Sequence, residues 1–210
     1  MSKSRVKPEH VRREEIMQAA FQVVHDEGLS NMTIAKIAKQ AGLSTGIVSH
    51  HFGDKQGLID ACMLEMLNVL RRKTDQNKSQ SADDPVGQLK AIIDSNFDMS
   101  QVNSISMRLW LDFWSASKHM PQLHRLQKIN DQRLTSNIRH HLLQLLSPEQ
   151  AELGAIGLAA MIDGLWLRGS LIGNADQDFN VQQARDLAYH YLDMLIAHSK
   201  STDSKPIHSS

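Results

Sequence analysis

Residues Met32 to Leu58 read MTIAKIAKQAGLSTGIVSHHFGDKQGL, two short helical stretches meeting at a glycine, and that pairing decides the fold. Thr33 is a good N-cap for the first stretch. Ile34, Ile37, Ala38 and Ala41 follow at i, i+3, i+4 and i+7 and give it one apolar face. Gly42 stands where such a helix ends on a left-handed residue. Ser44 then caps a second helix from Thr45 to about His51, which leaves a turn of about three residues, the length a helix-turn-helix uses. In the second helix Ile47 and Val48 are expected inward, with Thr45, Gly46, Ser49 and His50 outward. Small and hydrogen-bonding side chains are what base edges in a groove require. Asp54 caps a further helix with Lys55 in its first turn. A cation there opposes the helix dipole, so a phosphate is expected beside it.

Outward from this head, Asp54 opens a long amphipathic helix through Leu58, Ile59, Cys62, Met66, Leu67 and Leu70. It is expected to fade into the polar stretch NKSQSADDP. The periodicity predicts further helices over 85–96, 105–118, 121–146, 148–171 and 181–197, with Pro85, Pro121 and Pro148 in first turns and Asn180 as a cap. There is no internal repeat and no sustained strand alternation. The expected fold class is all-α. Residues 1–53 form a three-helix DNA-reading head with a basic arm, 54–199 a larger helical domain for ligand binding and dimerisation, and 200–210 a disordered polar tail.

The 210 residues are 41% hydrophobic, enough for a proper core, and carry zero formal net charge. Attraction to nucleic acid must therefore come from local asymmetry. Lys3, Arg5, Lys7, Arg12 and Arg13 face only Glu9 in the first thirteen residues, an arm that either reaches phosphate or is a solvated tail. Cys62 is the one cysteine, which excludes an internal disulfide framework. With no apolar run of membrane length and no signal peptide, a soluble, cytoplasmic protein without a membrane partner is expected. Of the eleven histidines, His50-His51 and His140-His141 are adjacent pairs, which point in different directions on a helix rather than at one metal. No HExxH, cysteine-rich, phosphate-loop or nucleophile-elbow motif is present. An enzyme, a metal site and a cofactor are not expected.

In the body, Trp110 and Trp114 lie at i and i+4 with Asp112 between them, and Trp166 follows Asp163 by three residues. Aromatic faces hold quaternary ammonium ions by cation–π attraction worth about 0.5–2 kcal/mol each, and a carboxylate adds charge complementarity. Trp110, Asp112, Trp114, Asp163, Trp166 and, more weakly, Phe97 with Asp98 are the candidate ligand residues. The other reading is ordinary core packing of large aromatics. Gly154, Gly157 and Ala160 suit close helix approach, and the last helix adds Leu187, Tyr191, Met194 and Leu195. These two helices either pair with those of a second copy as a four-helix bundle or pack within one chain.

The segment Thr33 to Leu58 resembles the DNA-binding domain of the tetracycline-repressor (TetR) family. The likeness runs through Ile37-Ala38, Ala41-Gly42, Ser44, Gly46, His51-Phe52, Lys55 and Leu58, and extends back over the helix from about Pro8 to Gly28. Many members place tyrosines where Ser49 and His50 stand and use them on the DNA backbone; this chain departs there. The runs STGIVSHHF, NFDMSQVNS, WLDFW and IDGLWLRG are similar, more narrowly, to the choline-responsive repressors of glycine betaine synthesis within that family. The resemblance implies a homodimeric repressor of choline-to-betaine genes on double-stranded operator DNA, relieved by choline or a related quaternary ammonium ion and linked to osmotic stress. Thr33, Ser44, Thr45, Gly46, Ile47, Ser49, His50, His51 and Lys55 are its expected DNA-binding set. A family member regulating efflux, responsive to bulkier cations or lipophiles, is the alternative. Ligand in the body would tilt the helix after Asp54 and shift two reading helices out of register with grooves about 34 to 36 Å apart.

Overall fold

The computed structural model describes residues 8–172 and 175–202; Lys3, Arg5 and Lys7 of the basic arm and 203–210 of the tail lie outside them. Regular structure among the described residues is entirely helical. In chain order it comprises α1 (Glu9–Glu27), a 3-10 turn (Leu29–Asn31), α2 (Ile34–Ala41), α3 (Thr45–Phe52) and α4 (Lys55–Gln80). There follow α5 (Pro85–Asn96), α6 (Met99–Val102), α7 (Ser104–Ser117), α8 (Pro121–Leu142), α9 (Pro148–Ser170), α10 (Ala175–Asp178) and α11 (Val181–Thr202). Two compact units divide the chain. The first takes the residues up to 68 together with 105–127; the second takes 69–104 and the residues from 128 on.

The first unit is built on α1, whose Ile16, Ala20 and Val24 are buried with Ile37 and Ala38 of α2, Val48 and Phe52 of α3, and Leu58 of α4. Thr33 Oγ1 accepts from the Lys36 amide at 3.2 Å and starts α2. Gly42 ends it at φ +66°, a conformation in which a Cβ costs about 1–2 kcal/mol. Asp54 Oδ1 accepts from the Gly57 amide at 2.8 Å and starts α4. Cys62 is buried, and desolvation pushes its thiol up to about 12. It packs as a small apolar side chain. Native protein is expected to leave Ellman's reagent unreacted until urea unfolds it, as the thiolate is the reactive form; fast labelling of the folded protein would contradict this.

In the second unit Asp84 caps α5, accepting from the Gly87 amide at 2.9 Å, with Pro85 in the first turn. Ser147 and Gln150 form a reciprocal capping box at the start of α9. Asn180 Oδ1 accepts from the Gln183 amide at 2.9 Å as α11 begins. The core gathers Leu89, Ile92, Ile93, Phe97, Ile138, Leu142, Ala155, Leu158, Ile162, Ala188 and Leu192. α9 packs closely on α11 and on the end of α8 where glycine replaces a side chain: a Cβ on Gly157 would stand 2.2 Å from the Tyr191 hydroxyl of α11, and one on Gly154 3.2 Å from Leu142 of α8 and 3.4 Å from Leu195 of α11. These two glycines therefore serve packing within the chain.

α4 ends at Gln80, inside the polar stretch into which it was expected to fade. Asn77 donates to Ser95 Oγ at 3.1 Å and Lys73 pairs with Asp98 at 2.9 Å, so tertiary partners hold its polar end. Three other local expectations need correction. α8 stops at Leu142, where the Leu145 and Leu146 amides both turn back to the Leu142 carbonyl. α6, α10 and the 3-10 turn are too short to show a period. Ile47 is 38% exposed rather than inward. In an eight-residue helix only the i, i+4 pair Val48 and Phe52 fills the buried stripe.

Candidate nucleic-acid interface and effector residues

α3 presents a polar row. Ser44 Oγ accepts from the Ile47 amide at 3.3 Å, and its hydroxyl hydrogen remains to donate outward. Thr45, Gly46, Ser49 and His50 are exposed, with Ile47 partly so, while His51 is half-buried with its ring edge-on to His50. Phe52 anchors the helix from behind. The Arg13 guanidinium lies 4.3 Å over the Phe52 ring centroid and donates to the His51 carbonyl. Arg13 thus belongs to the scaffold of the reading head, not to a free arm, and Arg12 pairs with Glu15 at 2.9 Å. The arrangement offers hydroxyl and imidazole groups for base edges and phosphates, with one apolar side chain for a thymine methyl.

Lys55 Nζ donates to the Ser30 carbonyl at 3.1 Å. That contact uses one of the three donors a lysine carries. Lys36 Nζ donates to the Asn31 carbonyl at 3.0 Å and pairs with Glu27. Asn31 Nδ2 in turn donates to the Glu27 carbonyl at 3.0 Å. The bend between α1 and α2 is therefore gripped by side chains from both α2 and α4.

The aromatic candidates fall in both units. Trp110 is buried and Trp114 half-buried on α7, in the first unit, with ring centroids 6.4 Å apart and planes tilted by 47°. Asp112 does not stand beside them. Its Oδ2 accepts from the Leu29 amide at 2.9 Å and from Arg108 Nε at 3.3 Å. At about 100° per residue, Arg108 and Asp112 lie on the face of α7 opposite the tryptophan pair. Phe97, Asp163 and Trp166 belong to the second unit. Phe97 and Trp166 are buried, and Trp166 Nε1 donates to the Gln101 carbonyl at 3.4 Å. Asp98 caps α6 through the Ser100 amide at 2.9 Å. Asp163 is exposed at the surface, yet the protein packed around its carboxyl, and then the charge of Asp131, push its pKa up to about 6.

A cavity of about 510 Å³ in the second unit is lined by Lys73, Lys90 and Arg185 against Asp94 and Asp98, with Tyr189. Lys90 already covers the Tyr189 ring at 5.4 Å, and Tyr189 donates to Asp94. Its balance of charge is wrong for an organic cation. Among the described residues no group of side chains is arranged to hold a metal, and no helix is long and apolar enough to cross a membrane. Sequence reasoning missed the scaffold role of Arg13 and the engagement of Arg108 and Asp112 with the bend after α1. The i, i+4 spacing of Arg108 and Asp112 signalled their pairing, but nothing local signalled Leu29.

Comparison with known proteins bears on both halves. Residues 16–62 match the family of bacterial regulatory proteins of the tetR type, and residues 85–197 match the BetI-type transcriptional repressor C-terminal domain. The chain is 52% identical over 193 residues to the HTH-type transcriptional regulator BetI of Stenotrophomonas maltophilia, covering 92% of this chain and 96% of that one. It is 47% identical to the HTH-type transcriptional regulator BetI 1 of Chromohalobacter salexigens, covering 91% and 93%. Among solved structures, a Pseudomonas aeruginosa PAO1 protein aligns with a TM-score of 0.79 at 25% identity over 92% of this chain and 94% of that one. A Saccharomonospora viridis protein crystallised in complex with choline aligns with a TM-score of 0.72 at 20% identity, over 88% and 96%.

Proposed function

We propose that this chain, which belongs to the tetR family of bacterial regulatory proteins as a BetI-type transcriptional repressor, acts on choline-to-glycine-betaine genes and is relieved by choline or a closely related cation. It is a DNA-binding regulator and not an enzyme. The observation that carries the effector is the BetI-type match over nearly the whole regulatory part, 85–197, together with relatives bearing the BetI name. The choline held by the Saccharomonospora viridis neighbour supports the same chemistry on the same fold. Within this chain the tilted Trp110–Trp114 pair is the arrangement suited to a trimethylammonium group.

The DNA-reading set is Ser44, Thr45, Gly46, Ile47, Ser49 and His50 on and before α3, with Thr33, His51 and Lys55 at its borders. A homodimer fits the outward faces of the last helices. Leu153, Ile156, Ala160, Leu167 and Leu171 follow one another at gaps of three, four, seven and four residues along the exposed side of α9 and just past its end, and Leu187 and Met194 stand seven apart on α11. Exposed apolar stripes at this spacing are what a four-helix bundle between two copies covers.

The test is a gel-shift titration on the DNA upstream of the chain's own gene, at fixed salt, with and without choline. Specific binding weakened about tenfold by choline is expected, within the usual range of allosteric coupling. Specific binding that ignores choline but yields to bulky lipophilic cations would replace the effector assignment with an efflux regulator's. On the same DNA, Thr45→Ala and His50→Ala are expected to change base preference by about 1–3 kcal/mol at one position. Lys55→Ala should weaken all sequences alike, with a salt slope shallower by about one. Equal loss on every sequence for all three variants would remove α3 from base reading.

A further inference from the structure

We infer that Arg108 and Asp112 are positioning residues that fasten helix α7 to the bend between α1 and α2, so that the reading head follows α7 when the effector binds. The inference deepens the proposed function and rests on its effector being sensed on the tryptophan side of α7.

Three observations converge on the bend. Asp112 Oδ2 accepts the Leu29 amide at 2.9 Å across 83 residues of sequence, which supplies the partner that the first N–H of the 3-10 turn lacks in its own helix. Arg108 Nε lies 3.3 Å from the same carboxylate oxygen and holds it in place. Gly28, at φ +83°, leaves the space for this approach: a Cβ there would stand 2.9 Å from an Arg108 terminal nitrogen and 3.7 Å from Asp112 Oδ2. Two carbonyls of the bend are held from inside the head, that of Ser30 by Lys55 of α4 and that of Asn31 by Lys36 of α2. The five residues from Glu27 to Asn31 thus collect contacts from α2, α4 and α7. Residues 105–127 accordingly cluster with the head in one compact unit, although the chain reaches them only after α5 and α6.

α7 carries the two duties on opposite faces. Trp110 and Trp114 project on one side, Arg108 and Asp112 on the other. A rotation or shift of α7 produced at the tryptophans is delivered to the end of α1 without passing through the length of α4. A charge-assisted hydrogen bond to a backbone amide suits this role because it is short, directional and lost within an ångström or so of displacement.

The experiment uses full-length Asp112→Ala, Asp112→Asn and Arg108→Gln. Operator affinity is read by gel shift with and without choline, choline affinity by quenching of tryptophan fluorescence, and exchange of the Gly28–Asn31 amides by mass spectrometry. In Asp112→Ala, exchange at the bend should rise at least tenfold. Operator affinity without choline and choline affinity should stay within threefold of wild type, and the choline-induced release should fall from about tenfold to under twofold. Asp112→Asn keeps an oxygen for Leu29 and should retain the release. Arg108→Gln, altering a side chain 48% exposed, should fold normally and show an intermediate loss. Release of Asp112→Ala as complete as that of wild type overturns the inference. So does a loss of choline binding in that variant, which would place Asp112 at the ligand instead. If wild-type protein binds its operator but ignores choline, the effector assignment fails by that result alone. The clamp is then judged by exchange: faster exchange of the Gly28–Asn31 amides in both Asp112→Ala and Arg108→Gln, with operator affinity within threefold of wild type, upholds it, and any other result overturns it.

Discussion

Phe52→Ala is expected to cost the protein about 3–5 kcal/mol and to abolish operator binding, the largest effect of any single truncation in the reading head. Phe52 is 8% exposed and closes the inner side of α3 together with Val48. Its loss also frees the Arg13 guanidinium 4.3 Å above the ring, a contact worth about 0.5–1 kcal/mol at a partly exposed site. The buried neighbours from α1 and α2 are aliphatic side chains of smaller volume and cannot fill the space of the ring, so a cavity term adds to the lost burial. Urea denaturation followed by circular dichroism at fixed protein concentration reads the loss. Arg13→Met, which keeps the stem but removes the charge and the hydrogen bond to His51, should cost about 1–2 kcal/mol. A midpoint for Phe52→Ala indistinguishable from wild type would mean that α3 is held by something other than this anchor.

Acid is expected to destabilise the protein between about pH 6.5 and 4, with His141 as the main cause. This side chain is buried near the end of α8, and its Nε2 has no hydrogen-bond partner. Desolvation first, then the charges of Lys78 and His140, lower its pKa from 6.5 to about 4. The unfolded chain therefore binds a proton through this window that the folded chain refuses, so stability is present above about 6.5 and lost as pH falls towards 4. The loss from this group is at most about 3 kcal/mol when complete, less whatever solvent screens the ring. Asp163 works in the opposite direction. Its carboxyl, raised to about 6, favours the folded state as it takes up a proton between about 6 and its unfolded value. Its exposure to solvent makes that the smaller effect. Urea midpoints across pH should fall less steeply on acidification for His141→Leu than for wild type, and more steeply for Asp163→Asn. An unchanged slope in His141→Leu would assign the acid loss elsewhere.

The two effects illustrate how unequally the sequence speaks. His141 is one of an adjacent pair with nothing local to separate it from His140, yet it alone is buried. Burial depends on which way α8 turns its stripe, and the pattern of one helix does not specify what will cover it. The helix-turn-helix was different. Thr33, Gly42, Ser44 and Asp54 act through hydrogen bonds and dihedrals within four residues of themselves, and each does in the structure what its residue type implies. Ile47 marks the limit even there, because two adjacent apolar residues cannot both face inward on a helix this short.

By itself, then, the sequence determined an all-helical chain, the caps and turn of its reading head, the starts of α5, α8, α9 and α11, and the family to which these belong. Those features are encoded by short-range chemistry: a side-chain oxygen reaching the next turn, a proline tolerating the first turn, a glycine entering the left-handed region, apolar residues repeating with the helical period. Only the tertiary structure decided that Gly154 and Gly157 lie against Leu142, Leu195 and Tyr191 of the same chain, and that residues 105–127 cluster with the head. It also turned Asp112 away from the tryptophans and onto Leu29. Such outcomes depend on pairing groups distant along the chain, where the free energy lies in mutual desolvation and hydrogen-bond geometry that neither partner's own neighbourhood contains.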